Sequence, residues 1–244
     1  MFTEINNLNK AKLYLKEKYD SKSKNEFYDL KYEHSLDCLS ILKSYGLFNY
    51  YKFGQAVLLH DVGRFFENNS KDFDHALFGY EILLKEYTND PLILLPIKYH
   101  EEDINWEKLL TRDLSFKDLS KNKQKQIIKG CKIVRDIDII SNMKSISNKI
   151  TEESKITSIN TGIIDNLYNN LISDKDDINN IYDEISYILC GLNLIVFEKS
   201  FSYIRRNKII NKLKDKQLML VQNNKDLYDK TIEMHNFIKT NYKL

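Results

Sequence analysis

Five histidines occur in the chain, and four of them, His34, His60, His75 and His100, fall at separated points in the first hundred residues. His60 is followed directly by Asp61, and an aspartate pair, Asp136 and Asp138, comes later. Imidazole together with carboxylate binds borderline and hard divalent cations such as Mn, Fe, Mg, Co or Zn. Adjacent His and Asp on a helix differ by about 100° in direction, yet at a helix end both can face one ion. One carboxylate can also bridge two ions. Buried imidazoles without partners are costly, which favours a shared ligand role for the group. A lone histidine on an apolar face is most often a hydrogen-bonded core residue, and His235 is read that way. What lifts the others is the ordered set: His, His-Asp, His, His, Asp. Asp136 and Asp138 would point about 200° apart on a helix, so only one can reach a given ion, and both are kept as candidates.

Such a site implies a reaction. A divalent ion lowers the pKa of its water from ~15.7 toward about 7, giving hydroxide at neutral pH. Such a hydroxide attacks an electrophilic centre without any Ser or Cys nucleophile; were that centre a phosphate ester, a second ion would hold the phosphate and the leaving oxygen. Arg64, just past the His-Asp pair, suits phosphate charge because guanidinium matches phosphate geometry; the alternative for it is a surface salt bridge. Arg135 is a weaker candidate for the same task, and Glu101 could relay a proton.

The elements that must position these residues read as helices. Leu8, Ala11, Leu15 and Tyr19 fall at helical spacing. A second helix carries Leu30, His34, Cys38, Ile41 and Tyr45 on one seam and stops near Gly46. A third runs through Phe53, Val57, His60 and Asp61 until Gly63 ends or bends it. Asp72 or Asp74 could cap a fourth, which carries His75, Gly79, Ile82 and Leu83. Asp90-Pro91 reads as a cap followed by proline at the first helical position, with Pro96 kinking or delaying the helix that reaches His100. Trp106 to Asn122 is polar and reads as loop-rich. A long helix is expected over about 123–143, a surface connection over 144–160, and three helices over 161–244. The expected division is an N-terminal helix (1–24), a metal-binding core (25–145), and a helical extension packed on it (146–244). No internal repeat or low-complexity linker interrupts the chain.

Composition agrees with an all-α fold. Hydrophobic residues make up 42% of the 244, enough for a real core, and only 7 Gly and 2 Pro leave little material for tight hairpins. The formal net charge is +2, so no global basic field argues for nucleic acid. The richest basic patch, Arg205-Arg206-Asn207-Lys208 continuing to Lys212, Lys214 and Lys216, is read as a solvated helix face. Cys38, Cys131 and Cys190 are an odd number with no CxxC pair and sit among apolar residues. Buried thiols and a reducing cytoplasm are expected. The N-terminus lacks an apolar signal-peptide core. The most apolar run, Ile185 to Phe197, is shorter than the ~20 residues a membrane span needs, and a buried core helix is expected there.

The stretch Ala56-Val57-Leu58-Leu59-His60-Asp61-Val62-Gly63-Arg64-Phe65 resembles the signature of the HD-domain phosphohydrolase superfamily. Asp74-His75-Ala76-Leu77-Phe78-Gly79-Tyr80-Glu81-Ile82-Leu83 resembles a second motif of that family. Ile97-Lys98-Tyr99-His100 and Ile133-Val134-Arg135-Asp136-Ile137-Asp138 are similar to the later ones. The resemblance covers roughly residues 25–145 and is closest to bacterial members with HDIGRF-like and RDADKLD-like motifs. It implies an HD-domain-like helical bundle with a helical C-terminal extension and one or two divalent ions. His34, His60, Asp61 and one of Asp136 or Asp138 would hold the first ion. Asp61 could bridge to a second held by His75 and His100, which face the substrate phosphate in mononuclear relatives. His100-Glu101-Glu102 departs from the more usual His-Asn, and Ile139-Ile140-Ser141 replaces the usual Lys-Leu-Asp.

By that analogy the expected substrate is a phosphorylated small molecule, a phosphate mono- or diester of a nucleotide. The rivals are a non-catalytic HD module that binds a nucleotide and signals, and a helical scaffold or nucleic-acid binder using the basic C-terminal patch. The C-terminal helices could serve as a lid or as a homodimer surface.

Overall fold

Residues 56–59, Ala-Val-Leu-Leu, are apolar in every direction, and a helix without a polar face must lie inside a protein. In the computed structural model of the chain they end a central helix. The described residues are 2–46, 50–67, 73–101, 105–149, 156 and 158–244. They form helices α1 (Phe2–Asp20), α2 (Glu26–Ser44), α3 (Tyr50–Leu59), α4 (His75–Glu86), α5 (Pro91–Lys98), α6 (Trp106–Leu110), α7 (Leu114–Lys117) and α8 (Lys121–Asn148). These are followed by α9 (Thr161–Tyr168), α10 (Ile181–Cys190), α11 (Glu198–Arg206), α12 (Ile209–Val221) and α13 (Lys225–Tyr242). Among the described residues there is no strand, and the fold is all-α as expected. No helix among them is long and apolar enough to cross a membrane.

The chain divides into two compact units, Met1–Asp138 and Ile139–Leu244, with the boundary inside α8. In the first unit α1, α2 and α5 pack around α3, and Ala56, Val57, Leu58 and Leu59 are all fully buried. A short 3-10 helix, Val62–Phe66, follows α3 and packs on α4. Local chemistry sets most boundaries. Asn25 caps α2 by accepting from the Phe27 amide, and Gly46 turns the chain away at φ 59°, a left-handed conformation that glycine adopts freely. Asp74 caps α4 by accepting from Leu77 N; the alternative cap, Asp72, lies outside the described residues. Asp90 caps α5, with Pro91 opening it and Pro96 inside its last turn.

Three expectations need correction. The third helix stops at Leu59, so His60 and Asp61 lie in a turn beyond it rather than on its face. The polar stretch after Trp106 is not mainly loop. It folds as α6 and α7, capped by Asn105 and Asp113, and sends Trp106, Leu110 and Phe116 into a cluster with Leu95, Ile127 and Cys131. The C-terminal part holds five helices rather than three. The apolar run breaks at Gly191 into a 3-10 turn, and Lys208 takes a left-handed conformation (φ 53°) between α11 and α12.

In the second unit α10 packs on α9 and α12, and α12 on α11 and α13. Its core carries a buried polar network. His235 Nε2 lies 2.8 Å from the Gln217 carbonyl oxygen. The Gln217 amide donates to Ser186 Oγ (2.9 Å) and to the Tyr182 carbonyl (3.3 Å). Tyr182 OH meets Thr231 Oγ1 at 2.8 Å. His235 is the core histidine its sequence context suggests. The basic patch is largely engaged within the unit. Arg205 pairs with Glu198, Lys212 reaches Asn148, and Lys216 donates to the carbonyls of Ile146 and Lys149 at the end of α8.

Candidate metal centre

Helix ends, more than helix faces, bring the histidines together. His34 lies within α2, while His75 is the first residue of α4, and His60 and His100 follow the ends of α3 and α5. Ending a helix at the site lets the chain turn its next side chain inward. Two of the rings are then held by the turn that precedes them. His60 Nδ1–H donates to the Val57 carbonyl (2.8 Å) and His100 Nδ1–H to the Ile97 carbonyl (2.7 Å). Those bonds leave Nε2 of each neutral ring as a lone-pair donor, the orientation typical of ligating histidines.

The Nε2 atoms converge on two carboxylates. His34 Nε2 lies 3.3 Å from His60 Nε2 and 3.0 Å from Asp138 Oδ1, which is 3.6 Å from His60. Asp61 Oδ1 stands 3.1 Å from His75 and 3.8 Å from both His60 and His100. Its Oδ2 is 4.0 Å from His34 and accepts from Lys31 Nζ at 3.2 Å. Asp61 thus stands between two groups of imidazoles. His60, Asp61, His75 and His100 are all buried. Of the two aspartates on α8, Asp138 is the one in direct contact with His34 and His60. Asp136 is fully buried, and about 200° of helical rotation turns it to another face.

A tight approach brings α4 to the His-Asp turn. A Cβ at Gly63 would stand 2.0 Å from the His75 carbonyl oxygen and 2.9 Å from Gly79 N. Only a residue without a side chain lets His75 come within reach of Asp61.

The electrostatics of the metal-free cluster are those of trapped protons. Burial favours neutral His60, but Asp61 and Asp138 overcome it and raise its pKa to about 9. Burial also opposes charge on His34, and Asp138 and Asp61 again prevail to raise it. Against the cost of burial, His60, Lys31 and His75 hold Asp61 well below the usual carboxylate range, and His34 and His60 do the same for Asp138. Burial, with His60 and His75 nearby, pushes His100 down to about 4.

These features fit a divalent ion. His34 and His60 face each other nitrogen to nitrogen, an arrangement that needs a proton or a metal between them. His75 Nε2 is buried and makes no hydrogen bond; its 3.1 Å approach to Asp61 lacks hydrogen-bond alignment. Among the described residues, three sets bring donor atoms within 4.8 Å of one another: His34, Cys38 and His60; His60, Asp61 and His100; His75, His100 and Glu101.

Residues 32–143 match the family model of the HD domain. Over those residues the chain carries an HD domain. No curated protein and no solved structure matches the chain.

Around the HD cluster the other expected residues take distinct places. Arg64 is mostly buried, with Nε 3.8 Å from Asp61 Oδ1 and its terminal nitrogens on Glu67 (3.2 Å) and Glu101 (3.4 Å). Glu101 is half exposed and lies 3.3 Å from His75 Nδ1. Arg135 is buried with its guanidinium 4.9 Å over the Trp106 ring, a packing role. Sequence reasoning missed Lys31 at the cluster and took Cys38 only as a buried thiol. Both lie one turn from His34 on α2, at i−3 and i+4, and that spacing was the available clue.

Proposed function

We propose that this HD domain is a metal-dependent phosphohydrolase that cleaves a phosphate mono- or diester, with a nucleotide as the substrate class. The observation that carries the reading is the convergence of four imidazoles on Asp61 and Asp138, with His34 and His60 facing each other across 3.3 Å. His34, His60, Asp61 and Asp138 would hold one ion, and His75 and His100, with Asp61 between, would hold a second or face the phosphate. An ion bound there supplies Lewis acidity and an acidified water. The chain's own residues do the rest. Val57 and Ile97 carbonyls fix the rings of His60 and His100. Glu101, beside His75 Nδ1, positions that ring and stands where a proton can be exchanged with solvent. Arg64 trades its carboxylate partners for substrate phosphate, which its planar fork binds in two places. The cations Lys31 and Arg64 beside the acidic centre support a phosphate ester, and the nucleotide class rests on the family analogy. A reducing cytoplasmic setting suits the three cysteines, none of which is in a disulfide.

The test is metal analysis of the purified protein followed by nucleotide hydrolysis with Mn, Mg, Fe, Co and Zn. Turnover and metal content should both fall in His60→Ala and Asp61→Ala. Full activity in both variants would place the site elsewhere, and metal with nucleotide binding but no turnover would favour a signalling module.

A further inference from the structure

Among the described residues, the HD centre has one donor that is neither nitrogen nor oxygen. Cys38 follows His34 by one turn of α2, and its Sγ lies 3.5 Å from His34 Nε2. Sγ and the nitrogens of His34 and His60 all lie within 4.8 Å of one another. These spacings have a meaning for coordination. In a tetrahedral zinc centre with bonds of about 2.0–2.1 Å to nitrogen and about 2.3 Å to sulfur, two nitrogens stand about 3.3 Å apart, and nitrogen and sulfur about 3.6 Å. The observed separations are 3.3 Å for His34–His60 and 3.5 Å for His34–Cys38. Asp138 Oδ1, at 3.0 and 3.6 Å from the same two nitrogens, adds a fourth donor, and the Asp61 carboxylate stands a little farther off, 4.0 Å from His34 and 3.8 Å from His60.

We propose that Cys38 is a metal ligand, so that the His34–His60 side of the centre is a mixed nitrogen, sulfur and oxygen site selecting zinc, cobalt or ferrous iron over magnesium and manganese. Thiolate is a soft donor that binds zinc and iron readily and is a poor partner for hard cations. On binding, the Cys38 thiol releases its proton to solvent and the sulfur lone pair forms the metal bond. The inference rests on metal occupancy of the cluster but not on hydrolysis or on the substrate.

Cobalt substitution tests it on the whole chain. Co(II)-loaded protein is expected to show a near-ultraviolet sulfur-to-cobalt charge-transfer band together with visible bands of a tetrahedral ion. Cys38→Ser and Cys38→Ala should lose the charge-transfer band, with folding checked by circular dichroism. Zinc affinity should drop on the order of 10- to 100-fold in Cys38→Ser while manganese affinity barely moves. Because the wild-type spectrum needs no variant, a misfolded variant does not blunt the test. Stoichiometric cobalt binding without the sulfur band overturns the proposal and leaves the metal centre standing. Failure of the wild-type protein to bind cobalt, zinc or manganese overturns both.

Discussion

His60 in the first unit and His235 in the second are both completely buried imidazoles, and their surroundings make them different chemical objects. His60 has one nitrogen on a backbone carbonyl and the other facing His34, Asp61 and Asp138. His235 has its Nε2 on the Gln217 side-chain amide, whose own N–H groups are taken by Ser186 and Tyr182. One environment traps a proton and raises the pKa to about 9; the other offers no carboxylate and, through burial first and then the charges of Lys214 and Lys239, lowers it to about 3. Burial alone therefore says little about a histidine's task. What faces its second nitrogen decides between a ligand and a core residue.

The widest separation between the two should come from truncation. His60→Ala is expected to lose bound metal and to lower hydrolysis by about 10³-fold or more, the scale of a lost Lewis acid. His235→Ala should keep metal and turnover but lower stability by about 2–3 kcal/mol, through a cavity and an unpaired Gln217. Metal analysis, steady-state rates and denaturant melts check both. Equal loss of metal in the two variants would erase the distinction.

A smaller but still severe effect is expected from Gly63→Ala. The new methyl must push the His75 carbonyl away, at a cost of about 3 kcal/mol or more, and drag His75 from Asp61. Metal affinity should fall with stability, although no ligand has changed, and titration calorimetry reads it.

Next comes pH. Histidine titrates near 6.5 in an unfolded chain. His60, raised to about 9 in the metal-free fold, contributes stability that is complete below pH 6.5 and is lost as pH rises toward 9. His100 and His235, lowered to about 4 and 3, contribute stability that is complete above pH 6.5 and is lost as pH falls toward those values. The metal-free protein should therefore be most stable near pH 6.5, declining on the order of 2–3 kcal/mol by pH 9. With saturating metal the slope above pH 6.5 should reverse, because ligands bind in their deprotonated forms. Thermal melts with and without chelator measure it, and parallel curves would remove His60 from the metal site.

The smallest effect is expected at Lys216. Lys216→Ala removes a cation from the carbonyl end of α8 and should cost about 0.3–1 kcal/mol, with no change in metal content or turnover.

Much of the centre was legible in the sequence, because imidazoles are rare in apolar helical seams and here they recur in order with an aspartate attached to one. Helix phase was the hidden quantity. Leu59 is followed by His60, Asp61 and Val62 with no glycine or proline before Gly63, so nothing local announces that α3 ends before His60. Asp136 and Asp138 could not be separated for the same reason: the buried face of α8 is chosen by its tertiary neighbours. Leu30, expected on the α2 seam, is 56% exposed, which shows how far that seam was misjudged at its start. The break between α11 and α12 was invisible because a lysine, Lys208, occupies a left-handed position where glycine or asparagine would have marked a stop. The caps Asn105 and Asp113 were readable in principle, but their helices are too short to show a period.

The contact between Gly63 and the start of α4 also bears on how this domain can age. Related chains can replace Arg64 or Glu101 without moving any backbone, since both reach the centre from its rim. Gly63 has no such freedom while α4 stays against the turn, whatever the centre is used for. Among descendants of this sequence, the rim should therefore erode first and the glycine last. A copy that keeps Gly63 but lacks the histidines would retain the joint between α4 and the turn without the cluster that it now presents.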